Sequence, residues 1–457
     1  MKQAMLVCCL VLLAIPVSVA AKDFPLEFKT LGPEDAKEYR WSYGAVQMIE
    51  AMKPTALKQE PKAASAHPLY GEFKYRSDNS SLLFRLDESK GDGKGYDQLI
   101  LDFNRNGDLT DDAVISPLAD VGHWSNYKGQ DLTMFGPIEA PALSQVNPSK
   151  PVYYAVLDLR TNVVQQLQQS GVISPRTYLG NLRLRAGFYL ETTVEMDGSK
   201  QKVAVIDNDA NTRLGDLCRP NVTSDGRWYL GAADGDRLLL IKDDSGTNNR
   251  SRCFAQVLYL DERPYRIALS ADWQSLQVEP WPEPLAELSL QPYGGRVSGL
   301  GLGWESGRDQ WQFVELQVAG GKVRLPAGNY GLWSVQVSAG LQNSGEVFAY
   351  GQMTQKRDFM VAAGRNNTLR CGTPLEIKVT TDHPDNSSYG GIRSWFEKLF
   401  SAGSRELRIQ AEIVGAGGET YSSFSLMDER GKREPAKPTF TITHAGKTVA
   451  AGQMEFG

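Results

Sequence analysis

The stretch that most constrains this chain is Gln98 to Asp112, where the apolar run Leu99-Ile100-Leu101 gives way to oxygen-bearing side chains at alternate positions. A strand-like segment has to stop there, because Asp102, Asn104 and Asn106 compete for the backbone, and Gly107 supplies the residue without Cβ that a sharp turn needs. Asp102, Asn104 and Asn106 stand at the first, third and fifth places of an oxygen-donating calcium loop, and Asp108 offers its main-chain carbonyl. The twelfth place, where a bidentate carboxylate usually closes such a loop, is Ala113, so closure falls to Asp111 or Asp112. The competing reading is an Asx-rich turn whose side chains bond their own backbone.

The pattern recurs. Lys202 to Asp216 repeats a strand running into Asp207, Asp209 and Asn211, with Asp216 closing, but Thr212 replaces the glycine and Arg213 lies among the acids, making it the weaker match. Tyr178 to Arg185 likewise parallels Leu69 to Arg76, in the same order and about 30 residues ahead of each loop, which implies a duplicated β-unit. Asp234-Gly235-Asp236 and Asp243-Asp244 read as hairpin turns able to lend a ligand. Both loops are entered from strands, and Pro117 discourages a long exit helix after the first. They therefore resemble the isolated calcium loops of dockerin-like and thrombospondin-repeat proteins more than a paired EF-hand.

Short alternating runs such as Tyr265 to Ser270 and Leu375 to Thr380 have the period of half-buried strands. The expected fold class is mainly β: several β-sandwich or β-meander domains in tandem, with the duplicated unit and few short helices. At 457 residues the chain exceeds one ordinary core. Residues 1–20 read as a signal peptide, 21–145 and 146–284 as related β domains each carrying a loop, 285–380 as an Ig-like sandwich, and 381–457 as a short helical linker with a C-terminal β unit. A spacer is expected from Gly136-Pro137 to Lys150-Pro151, and a stiff joint at Pro280 to Pro284. Short helices are expected around Glu34 to Glu50, Thr161 to Gln169 and Ile392 to Phe400. The turn Pro326-Ala327-Gly328-Asn329-Tyr330 resembles the late hairpin of Ig-like modules of the carboxypeptidase-regulatory kind, which implies a sandwich there.

Met1 to Ala21 has a basic start, an apolar run and the small-residue pattern Ser18-Val19-Ala20, so the mature protein is expected to be secreted or periplasmic, beginning near Ala21 or Lys22. No later stretch is long and apolar enough for a membrane span. Outside that segment stand Cys218, Cys253 and Cys371; Cys218 and Cys253 can close one disulfide, or all three can be buried thiols. A net charge of −5 and the absence of a basic cluster argue against nucleic acid.

No residue is assigned to catalysis: the four histidines lack zinc-site spacing, and no nucleophile elbow is present. Gly299 to Gly303 lacks the helix that a dinucleotide fingerprint needs and reads as a turn or flat strand. The expected function is therefore non-enzymatic: a secreted β-protein stabilised by calcium, structural or binding an extracellular or cell-surface component. The alternatives are a glycan-binding module, for which nine Trp and 18 Tyr could supply stacking faces, and a hydrolase using carboxylates from distant strands. Taken whole, the chain resembles secreted bacterial proteins of several β domains with dockerin- or EF-hand-like Asp/Asn loops, a likeness that implies no reaction.

Overall fold

The computed structural model describes residues 21–33, 44–75, 79–91, 95–119, 123–124, 131–139, 152–170, 177–218, 221–222, 228–229, 235–241, 250–291, 296–307, 310–318, 320–341, 345–382, 408–427, 433–435, 439–444 and 446–453. Over these the chain is mainly β, in several separate sheets with one short helix, Thr161–Ser170. The helix forms because Val164 and Leu167 share one buried face while glutamines occupy the other. No helix among the described residues is long and apolar enough to cross a membrane.

Four sheets surround the first core. Leu69–Lys74, Ser81–Asp87, Gln98–Leu101 and Val114–Ile115 form an antiparallel meander, in which alternation sends Leu82, Phe84 and Leu86 to one face and Leu83 to the other. The second face is covered by Leu57 and Leu109, so the Lys/Pro/Ala-rich connector before the meander packs against the first loop. A five-stranded sheet runs in the order Ala45–Met48, Gly180–Ala186, Val152–Leu159, Asp131–Glu139, His123–Trp124. Another runs Arg250–Cys253, Arg237–Ile241, Ser199–Ile206, Phe188–Met196, Glu27–Thr30. The fourth joins Lys22–Pro25, Ser275–Pro280, Arg263–Leu269 and Val257–Leu260. Their inward faces meet in one apolar cluster running from Leu31 to Val278, so both loop-bearing segments share a single core.

The two segments are not laid out alike. In the first, the three strands ahead of the loop make one meander; in the second, Gly180–Ala186 and Phe188–Met196 are adjacent in sequence but belong to different sheets, parting at Gly187. A Cβ on Gly187 would stand 2.7 Å from the Tyr154 ring and 3.0 Å from the Val152 carbonyl, so a side chain at the change of sheet would have to displace that ring.

Two expectations are corrected. Of the helix anticipated over Glu34 to Glu50, the described part is a strand, Ala45–Met48, because its backbone is taken up in pairing with Gly180–Ala186; residues 34–43 lie outside the described residues. The spacer anticipated from Gly136 begins inside a strand, since Asp131–Glu139 continues through Gly136 and Pro137 by way of a register shift opposite Tyr153 and Ala155. The helix near Thr161 is present, whereas the one expected at Ile392 to Phe400 lies outside the described residues.

The second core lies between the three-stranded sheet Lys322–Pro326, Leu285–Leu290, Asn367–Leu369 and a large sheet that includes Arg296–Gly307, Gly328–Leu341 and Gly345–Val361. Arg296–Gly307 contains the glycine-rich run Gly299 to Gly303, which is thus a strand. At the turn into Gly328–Leu341 the Tyr330 hydroxyl donates to the Pro326 carbonyl at 2.7 Å, closing the Pro-Ala-Gly corner. Arg408–Val414 and Thr420–Met427 add to this same sheet, Thr420–Met427 pairing directly with Gly345–Val361. The cores abut where the Gln256 amide N–H donates to Gln312 Oε1 at 2.8 Å.

Candidate metal centre

Ser199–Ile206 is the middle strand of its sheet, and Val203 to Ile206 are fully buried, so the chain reaches Asp207 with no access to water. Asp207, Asn208, Asn211 and Asp236 are 0 % exposed and Asp209 2 %. The partner strand explains Asp236. Ile206 pairs with Arg237, so one step beyond the ladder Asp236 stands opposite Asp207. Asp207, Asp209 and Asp236 each offer an oxygen, all within 4.8 Å of one another, and among the described residues they are the one such group of three His, Cys, Asp or Glu side chains.

Burying three carboxylates together is costly unless charge is removed or balanced. Asp207 Oδ2 accepts from the Tyr153 hydroxyl at 2.5 Å and the Thr212 amide at 3.0 Å, while its Oδ1 is shut from solvent with no hydrogen-bond partner. Asp236 Oδ2 accepts from the amides of Gly215 at 2.6 Å and Asp216 at 2.9 Å, and its Oδ1 from Asn208 at 3.2 Å. Burial pushes the Asp207 carboxyl up to about 6. Burial, followed by the fields of Asp207 and Asp209, raises Asp236 well above the carboxylate range. A cation is the economical remedy for such a group, and the donors are all oxygen.

The turn is made despite Thr212. That residue takes φ 69°, next to Ala210 at 55° and Gly215 at 96°. A β-branched residue is strained there; the bond from its amide to Asp207 holds the turn in place. Asp216 accepts from the Asn211 side chain, and Arg213 is exposed, so the acids form the interior of the loop.

The first loop has a different character. Asp102 is 2 % exposed and accepts from the amides of Asn106 at 3.1 Å and Gly107 at 2.9 Å. Beyond it each Asx accepts from the amide two residues on, Asn104 from Asn106, Asn106 from Asp108 and Asp108 from Thr110. This ladder is the self-bonded turn weighed against metal. The side-chain amides of Asn104 and Asn106 nevertheless both reach Asp111 Oδ2, at 3.0 and 2.9 Å. Asp112 Oδ2 is buried without a partner, and burial, then Asp102 and Asp111, raise this carboxyl to about 7. Asp102, Asn104, Asn106, Asp111 and Asp112 are thus linked by hydrogen bonds or through-space fields, whereas the Asp108 side chain is spent on Thr110.

The two loops touch. Arg105 takes φ 59°, lies over the Tyr75 ring and donates to the Asn211 carbonyl at 2.6 Å and to Ser80 Oγ at 2.7 Å. Tyr75 donates to the Ala210 carbonyl at 3.1 Å, and the Phe103 ring lies 6.4 Å from that of Tyr153. Sequence reasoning did not single out Tyr153, Tyr75 or Arg105. Asp236 it placed in a hairpin turn able to lend a ligand, without saying to which loop; strand register is the signal that pairs it with Asp207.

A separate cleft of about 460 Å³ lies where the two cores meet, lined by Gln256, Arg266, Trp281, Glu283 and Trp304. The two indole rings meet edge to face at 5.3 Å, and Arg266 stacks on Trp281 while pairing with Glu283 at 3.1 Å. Set against family models, curated proteins and solved structures, the chain matches none of them.

Proposed function

We propose that this is a secreted, non-enzymatic β-protein stabilised by calcium, with a structural or surface-binding role outside the cell. The observation that carries the reading is the fully buried Asp207, Asp209 and Asp236 group, with an unpartnered oxygen on Asp207. Asp207, Asp209 and Asp236 would hold the ion, with Asp216 and Asn211 beside them and water completing the shell. Asp102, Asn104, Asn106, Asp111 and Asp112 would hold a second, more exposed ion, with the Asp108 carbonyl in its usual place. An all-oxygen donor set on an irregular loop suits calcium better than zinc or the stricter octahedron of magnesium. The recurring sequence supports a duplicated loop-bearing unit, and the signal-like residues 1–20 support export.

Thermal melting in excess calcium and in excess chelator tests this. Calcium should raise the melting temperature, and magnesium should replace it poorly. An ion at one hundred times its Kd, bound only to the folded state, contributes about 2.7 kcal/mol. Identical curves in calcium and chelator would retire the reading.

A second reading, glycan binding, is favoured by the cleft, because indole, arginine and carboxylate side chains give it both the apolar and the polar lining that a sugar ring uses. A glycan array repeated with Trp304→Ala tests it; binding that survives the substitution would place recognition elsewhere.

A further inference from the structure

Cys218 and Cys253 are buried thiols, 35 positions apart in sequence, and the fold brings them together at the base of the acidic group. One oxygen locates both. The Asp236 carbonyl accepts from the Phe254 amide at 2.9 Å and from the Cys218 thiol at 3.0 Å, which puts the Cys218 sulfur beside the peptide joining Cys253 to Phe254. The Cys218 amide in turn donates to the Phe254 carbonyl at 3.2 Å, and Cys253 pairs with Arg237 in the sheet. Cys218 and Cys253 belong to one small buried cluster with Phe313 and Trp333, and Cys371 sits in the second core.

We infer that Cys218 and Cys253 form a disulfide that fastens the end of Arg250–Cys253, the strand paired with Arg237–Ile241 next to Asp236, against the far end of the loop that starts at Asp207. Each thiol gives up one proton and one electron, the S–S bond forms between them, and a small-molecule disulfide such as oxidised glutathione is reduced to two thiols by successive exchange through a mixed disulfide. Both sulfurs are closed off in the folded protein, so the exchange takes place while the chain is folding. The cross-link closes a loop of about 35 residues and limits the unfolded chain most where Asp236 must return to its partners. It does not depend on whether the acids hold an ion.

The full chain is refolded with oxidised glutathione, denatured in an alkylating agent and digested without reductant. Peptide mapping should find the Cys218 and Cys253 peptides linked, lighter by two hydrogens than their sum, and Cys371 alkylated. Cys218→Ser should leave Cys253 alkylated. If that variant does not fold, the wild-type map still decides. Alkylation of both Cys218 and Cys253, glutathione retained on either, or a link from either to Cys8, Cys9 or Cys371 would overturn the inference. Reduction of the linked protein should then cost hydrogen-exchange protection in the segment 207–218; protection unchanged by reduction would refute the fastening role.

Discussion

The Arg105 guanidinium donates to the Asn211 carbonyl at 2.6 Å, tying the first Asx loop to the second across 106 residues of sequence. Its other arm holds Ser80, and its face covers Tyr75, whose hydroxyl bonds the same second loop. Each loop is therefore part of the other's surroundings.

Arg105→Ala should destabilise the protein by about 2 kcal/mol, because it removes two hydrogen bonds made by a charged, partly buried donor. Arg105→Lys should recover only part of this, since an ammonium cannot span Ser80 and Asn211 as a planar fork does. Urea denaturation measures both, and an unchanged midpoint for the alanine variant would show that the contact carries no stability.

Asp236→Asn should act with opposite sign in two conditions. In chelator it removes a carboxyl that is costly to bury beside two others, and should raise the melting temperature. In excess calcium it removes a ligand and should lose most of the calcium-dependent increment. Differential scanning calorimetry of wild type and variant in both buffers checks the reversal; a loss of stability in both would mean that Asp236 serves only its hydrogen bonds to Gly215 and Asp216.

Metal-free protein should gain stability on mild acidification. Burial raises the Asp207 carboxyl to about 6 and that of Asp112 to about 7, against an ordinary value of 3.8. An acid whose folded value is raised holds its proton more tightly folded than unfolded, so its ionised form opposes folding. The penalty is complete above about 7 and fades as pH falls toward 3.8. With calcium present protons compete with the ion, and the slope should reverse. Denaturant midpoints between pH 8 and pH 5, with and without calcium, read this directly.

Gly107→Ala should cost about 1 to 3 kcal/mol, more than a left-handed turn alone requires. Its φ is 77°, and an added Cβ would stand 2.7 Å from the Ala56 carbonyl, which is backbone. Gly418, with φ 88° and open space around it, is the matched control and should show only the conformational part. Equal losses at the two sites in urea denaturation would mean that the connector yields.

Much of this protein is decided by neighbours in sequence. Alternation of the kind seen in Ser81–Asp87 selects strands, because side chains two apart share a face, and the Asx spacing of Asp102 to Asp108 dictates a tight turn, because the side-chain oxygens of Asn104, Asn106 and Asp108 each reach the amide two residues on. Those features, and the helix at Thr161–Ser170, were legible without coordinates. What the tertiary structure decided depends on which strand lies beside which. The recurrence of a loop motif does not specify sheet partners, so the split of the second unit at Gly187 and the single core from Leu31 to Val278 follow from long-range pairing. Asp236 completes the acidic group only because Ile206 registers with Arg237; a one-residue slip would turn it to the other face. Thr212 makes the weaker match by local preference, but a partly buried hydrogen bond to Asp207 offsets the intrinsic cost of its φ, and among the described residues the one group of three carboxylates within 4.8 Å of one another forms where that second loop meets Asp236.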